Sequence, residues 1–103
     1  MFDDALIAEA GQLLSQAAPE AQVFLFGSYA RGTADEGSDL DFLVVEARVE
    51  DPIEESFRLR TAIRDLELFA DVIVVSESEI ERWRDVDGTL IHAALSEGRL
   101  LAA

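Results

Sequence analysis

The sequence contains no cysteine and no lysine, and it has only two prolines. Without cysteine the chain cannot form a disulfide or offer a thiolate to a metal, so oxygen ligands remain the main option for a metal site. No apolar run approaches the roughly 20 residues that a membrane span requires. A basic segment ahead of a hydrophobic one is also missing, so we expect no signal peptide and a cytoplasmic location.

Positive charge is scarce, because eight arginines stand against 22 acidic residues and the formal net charge is −14. Phosphate backbones require a basic face, so direct nucleic-acid binding is not expected. A basic protein partner fits this charge, and acidity that only keeps a domain soluble explains it equally well. Half of the residues are apolar and occur in short clusters, which predicts a single α/β domain over residues 1–103.

The apolar clusters and the capping residues between them predict an alternation of helices and strands. The predicted strands cover residues 23–26, 40–45 and 70–75. The predicted helices cover about residues 3–18, 51–68 and 87–97, with another opened by the capping-box pattern at 76–79. Within the second long helix, Glu54 and Arg58 are predicted to form an i,i+4 ion pair.

The Gly27-Ser28 pair directly follows the first predicted strand. Glycine has no side chain to block a phosphate, and Ser28 is a good N-cap at a place where a helix would present free N–H donors. Arg31, one turn later, could reach a phosphate. An ion pair from Arg31 to Asp35 or Glu36 is an equally good interpretation, because surface ion pairs are common.

Three aspartates form the second part of the pattern. Asp39 and Asp41 are two residues apart on a predicted strand, so both project from one face about 7 Å apart. Asp71 opens another apolar strand, where a charged residue has no other evident purpose. Carboxylates 4–5 Å apart repel by roughly 3–4 kcal/mol at an effective dielectric of about 20. We therefore predict that cations join the three, with two Mg²⁺ ions as the natural choice for phosphate chemistry.

The pattern as a whole resembles the minimal nucleotidyltransferase (MNT) family of the DNA polymerase β-like superfamily. The matching residues are Gly27-Ser28-x-x-Arg31-Gly32, then Ser38-Asp39-x-Asp41, then Asp71 in a hydrophobic strand. The resemblance spans nearly the whole chain and is specific for the superfamily rather than for a substrate. It implies an α/β (α+β) nucleotidyltransferase fold, with a small mixed β-sheet, helices packed on one face and the aspartates exposed on the other.

The resemblance also implies roles and a partner. Gly27 and Ser28 would contact the triphosphate of ATP, Asp39 and Asp41 would bind both metals, and Asp71 would complete the catalytic metal site. Domains of this kind look like antitoxins that adenylylate a tyrosine of a HEPN-domain ribonuclease toxin. The expected function is therefore Mg²⁺-dependent transfer of AMP from ATP to a hydroxyl of a partner protein, such as the tyrosine of a cognate HEPN toxin.

Two other functions remain open at this stage. The chain could transfer a nucleotide to a small antibiotic-like molecule, with the acceptor pocket supplied by another subunit. It could also be a non-catalytic module that inhibits a toxin by binding alone, although the intact aspartates count against this. Three further side chains are interpreted as structural: Tyr29 as packing or loop surface, Trp83 as core packing rather than an interface anchor, and His92 as a helix residue without a catalytic partner.

Overall fold

All three apolar runs form strands, and helices fill most of the chain between them. The computed structural model describes residues 1–103. Its strands are β1 (Gln22–Phe26), β2 (Leu40–Glu46), β3 (Ala70–Ser76) and β4 (Arg99–Ala102). Its helices are α1 (Asp4–Ala17), α2 (Ser28–Arg31), α3 (Pro52–Ala62), α4 (Glu77–Trp83) and α5 (Leu90–Glu97). None of these helices is both long enough and apolar enough to span a bilayer.

Helix starts follow the predicted capping chemistry. The Asp51 side chain accepts hydrogen bonds from the backbone N–H groups of Ile53 and Glu54 at the start of α3, and Ser76 and Glu79 form a capping box at α4. Such caps satisfy N–H groups that have no partner inside the helix. Local sequence is therefore sufficient to begin these two helices.

The predicted extent of α3 and its ion pair are wrong. The helix ends at Ala62 rather than near residue 68, because the chain tightens into a 3₁₀ turn and Glu67 then takes a left-handed conformation with φ of 55°. Arg58 binds Glu55 rather than Glu54, with Nε–Oε1 and Nη2–Oε2 distances of 2.7 and 2.8 Å. A bidentate pair between guanidinium and carboxylate is stronger than a single contact, and the i,i+3 spacing permits it here.

The strands form one mixed sheet in the order β3-β2-β1-β4. Strand β1 is antiparallel to both β2 and β4, whereas β2 and β3 are parallel. A parallel pair requires a crossover connection, and α3 supplies it. The α/β architecture with a small mixed sheet, expected from the sequence, is therefore confirmed.

Helices cover both faces of the sheet, which corrects the expectation that they pack on one face only. One apolar core lies under α1 and α3 and includes Leu25 and Phe42, both fully buried. A smaller core on the opposite face joins Leu43 of β2 to Ile91 and Ala94 of α5. The physical reason is that the residues of β2 after Asp41 are apolar on both faces of the strand, so each face requires cover.

Candidate functional site

A row of side chains crosses the sheet where β2 and β3 begin. In the strand register Asp41 lies beside Asp71 on β3 and beside Phe26 on β1. Adjacent strands are about 4.8 Å apart, so the two carboxylates start from neighbouring positions on the same face of the sheet. Asp39 immediately precedes β2, two residues before Asp41, and extends the acidic group along the strand direction. The structure thus brings together all three aspartates that the sequence singled out.

The charges of this group act on its central member. Burial raises the pKa of Asp41 above its ordinary value, and the negative charges of Asp71 and Asp39 raise it further. Arg31 opposes this rise in the pKa through its positive charge. Asp39 and Asp71 are exposed, and the chain has no closed cluster of three or more His, Cys, Asp or Glu side chains in ligating geometry. The aspartates therefore share a face and an end of the sheet without converging on one point.

Gly27 connects β1 to the short helix α2 and lies directly against Asp41. Its backbone angles are φ 75° and ψ −155°, a region that only glycine adopts readily. A β-carbon at this position would overlap Oδ2 of Asp41. Both constraints select glycine, and they place the turn backbone in contact with the central carboxylate. Gly27 itself is the N-cap of α2 and Ser28 is its first helical residue, so the prediction of Ser28 as the N-cap is wrong by one position.

Arg31 has an acidic partner, but it is neither of the two suggested by the sequence. Its Nη1 lies 3.1 Å from Oε2 of Glu97 on α5, with both side chains nearly half exposed. Asp35 is engaged in its own loop, where its carboxylate accepts hydrogen bonds from the Gly37 N–H and the Ser38 hydroxyl. The ion pair therefore joins α2 to α5 across 66 positions of the sequence.

A cleft of about 510 Å³ opens between the Gly27 turn and α5. One wall carries four residues singled out in the sequence: Gly27, Ser28, Arg31 and Asp41. The other residues that line it are Phe26, Gly88, Thr89, Leu90, Ala93 and Glu97. Sequence analysis did not assign any residue of α5 to the site. The only available signal was helical spacing, since positions 90, 93 and 97 share one helix face.

The side chains interpreted as structural occupy different environments. The Tyr29 hydroxyl accepts a hydrogen bond from the Phe2 N–H at 3.2 Å, and the two rings pack with centroids 6.1 Å apart. His92 places Nδ1 2.8 Å from the Arg84 carbonyl oxygen and Nε2 3.0 Å from the Asp87 carboxylate, which ties α5 to the loop before it. Trp83 is 39% exposed, so its prediction as a core residue is wrong.

Comparison with known protein families agrees with the fold and the site geometry. The family model described as a nucleotidyltransferase domain matches residues 7–96. The chain therefore belongs to the nucleotidyltransferase domain family. No curated protein sequence matches it closely enough to add a more specific assignment.

Solved structures with the same fold include a Sulfolobus solfataricus protein and toxin–antitoxin complexes. A Sulfolobus solfataricus protein described as a nucleotidyltransferase is 24% identical with a TM-score of 0.62, over 93% of this chain and 76% of the other. A chain of the MntA–HpeT toxin–antitoxin complex is 26% identical with a TM-score of 0.62, over 100% of this chain and 74% of the other. A chain from the complex of a Shewanella oneidensis MNT antitoxin with a tri-AMPylated HEPN toxin is 21% identical with a TM-score of 0.58, over 96% of this chain and 71% of the other. The chain is thus similar to MNT antitoxins.

Proposed function

We propose that this chain is a Mg²⁺-dependent nucleotidyltransferase that transfers AMP from ATP to a hydroxyl of a partner protein, namely a tyrosine of a cognate HEPN-type toxin. The observation that carries this proposal is the contact between the Gly27 turn and Asp41, with Asp71 alongside on β3. A phosphate held at that turn would lie next to the carboxylates. Membership of the nucleotidyltransferase family supports the reaction class, and the similarity to toxin–antitoxin complexes supports the type of acceptor.

The donor set fits magnesium. All three candidate ligands, Asp39, Asp41 and Asp71, offer carboxylate oxygens, which suit this hard cation. Burial is the main reason why the pKa of Asp41 is raised, and the negative charges of Asp71 and Asp39 raise it further; a bound cation would offset that repulsion. Two Mg²⁺ ions, when bound, would neutralise the carboxylates and phosphates and make the α-phosphorus more electrophilic. In this assignment Asp39 and Asp41 would hold both ions, and Asp71 would complete the site of the catalytic one.

The residues of the chain divide the remaining work. Gly27 and Ser28 hold the triphosphate, and Arg31 exchanges its ion pair with Glu97 for a phosphate oxygen. The acceptor hydroxyl oxygen attacks the α-phosphorus, the bond between the α-phosphorus and its bridging oxygen to the β-phosphate breaks, and pyrophosphate leaves. Asp71 is exposed and lies beside Asp41, and we assign it to accept the hydroxyl proton.

An exposed apolar surface on α3 and at the start of β3 supports a protein partner. Phe69, two residues before Asp71, is 73% exposed, and Ile53 and Phe57 on α3 are 82% and 66% exposed. The shallow grooves beside α3 and β3 include Arg60 and no acidic residue, in a chain with a net charge of −14. Exposed apolar patches mark interaction sites on soluble proteins. This one lies largely on the α3 side of the sheet, opposite to the face that carries Asp71, and it would bind a partner protein there.

The test is incubation of the purified chain with a purified HEPN-type toxin, Mg²⁺ and ATP labelled on the α-phosphate. We expect label on that protein, no label when the γ-phosphate carries it instead, and no transfer by the Asp41→Asn variant. Label on an added aminoglycoside rather than on protein would favour the small-molecule reaction. Toxin inhibition that persists in Asp39→Ala and Asp41→Ala variants without any labelling would refute catalysis and leave binding alone.

A further inference from the structure

The cleft beside Gly27 is lined by two chemically different groups of residues. The first, on the Gly27 turn and α2, includes Ser28 and Arg31, which is the only cation among the lining residues and is paired with Glu97. The second is the first turn of α5, with Leu90 and Ala93, and it carries no charge. A triphosphate is strongly anionic, so its favourable position is beside Arg31. The first turn of α5 suits an uncharged group.

The first turn of α5 is apolar where it faces the cleft, whereas Glu97 at the end of the helix is the charged residue of the same wall. Leu90 and Ala93 line the cleft, whereas Ile91 and Ala94 on the other side of the same helix are buried in the second core. Leu90 is 46% exposed although it is one of the larger apolar side chains of the chain. Burial of Ile91 and Ala94 holds the helix in place, so the Leu90 surface is presented on a fixed support. The exposed apolar area of Leu90 is not covered by any other part of the chain.

From this juxtaposition we infer that the Leu90–Ala93 face of α5 is the nucleobase subsite of the cleft, with Leu90 as its largest contact. The inference rests on the proposed function and adds to it the residues that contact the base. A cleft of about 510 Å³ lies within the usual range for small-molecule sites, which combine apolar walls with a few placed polar groups. The base lies on the Leu90 side chain while the triphosphate extends towards Gly27 and Arg31.

This subsite predicts which class of nucleotide the chain prefers. An aliphatic side chain contacts a base through area rather than hydrogen bonds, so a larger ring system gains more from burial against it. Purine triphosphates should therefore bind more tightly than pyrimidine triphosphates. The preference between adenine and guanine does not follow from contact with Leu90, since both rings offer a similar area.

The experiment measures dissociation constants by calorimetry, in Mg²⁺, for ATP, UTP and inorganic tripolyphosphate. The variants are Leu90→Ala and a matched control, Leu100→Ala, because Leu100 is 49% exposed on β4 and is not among the residues that line the cleft. Tripolyphosphate shares the charged part of the ligand and lacks the base. Comparing it with ATP isolates the contribution of the base.

We expect Leu90→Ala to weaken ATP binding by about fivefold, the effect of losing part of one buried apolar side chain. The same substitution should leave tripolyphosphate binding unchanged and narrow the difference between ATP and UTP, while Leu100→Ala should change nothing. Three results for Leu90→Ala would overturn the subsite. They are equal losses of affinity for ATP and tripolyphosphate, no loss of affinity for either ligand, and a loss of ATP affinity equal to that in Leu100→Ala. Wild-type protein that binds tripolyphosphate as tightly as ATP would overturn it too and leave the proposed reaction standing. Failure to bind any of the three ligands would refute the proposed function itself, and the subsite with it.

Discussion

The contact between Gly27 and Asp41 predicts an unusually large effect for a single methyl group. Gly27→Ala would force a non-glycine residue to φ 75° and ψ −155°, at a cost of about 1–3 kcal/mol. It would also drive the new β-carbon into Oδ2 of Asp41. We therefore expect the free energy of unfolding to fall by about 3–4 kcal/mol, which is a large part of the stability of a small domain.

The chain contains its own control for this experiment. Gly32 also has a positive φ, of 78°, but nothing lies within 4 Å of the place where its β-carbon would be. Gly32→Ala should therefore cost only the conformational term of a left-handed residue, about 1 kcal/mol. Urea denaturation of both variants, followed by circular dichroism, measures the difference directly. The excess loss in Gly27→Ala combines its greater backbone strain with the part assigned to Asp41.

A double-mutant cycle tests that assignment. In an Asp41→Ala background the carboxylate is gone, so Gly27→Ala should cost only its backbone strain, about 2 kcal/mol. If Gly27→Ala is no more destabilising than Gly32→Ala, the glycine is not constrained as the structure indicates. If removal of Asp41 leaves the cost of Gly27→Ala unchanged, the contact between the turn and the carboxylate is not the cause.

Three further outcomes follow from the charges. Asp71→Asn should raise the metal-free free energy of unfolding by about 1 kcal/mol at pH 7, because it removes a charge that raises the pKa of Asp41. Mg²⁺ should raise the melting temperature of the wild type by more than that of this variant, and a metal effect unchanged in the variant would exclude Asp71 as a ligand. Burial, with the neighbouring Glu55, raises the pKa of Glu46 to about 7, so its contribution to stability is present below pH 4.5 and is lost as the pH rises to 7. Glu46→Gln should therefore reduce the loss of stability between pH 5 and 8, on the order of 2 kcal/mol, and parallel pH profiles would contradict this. Because the Arg31–Glu97 pair is nearly half exposed, either Arg31→Ala or Glu97→Ala should lower the free energy of unfolding by less than about 1 kcal/mol. Only Arg31→Ala should raise KM for ATP. Equal KM values in the two variants would exclude Arg31 from phosphate binding.

Local sequence was sufficient wherever the physics is local. The period of two along a strand placed Asp39 and Asp41 on one side before any tertiary contact was known. Capping chemistry located the starts of α3 and α4 at Asp51 and Ser76. Local sequence did not predict β4. Its four residues, Arg99–Ala102, show no alternation of apolar and polar side chains and form a strand only because β1 offers an edge to pair with.

What tertiary structure decided was which distant residues meet. Asp71 lies beside Asp41 because β2 and β3 pair in parallel in one particular register, and a shift by one residue would turn Asp71 to the opposite face. Gly27 reads as a common turn residue in the sequence, and only the fold shows that its missing side chain makes room for Asp41. Arg31 finds Glu97 rather than a neighbouring acid because packing brings α5 across the cleft. Residue types and spacing therefore determined the chemistry that the chain can offer, whereas strand pairing and helix packing decided where that chemistry comes together.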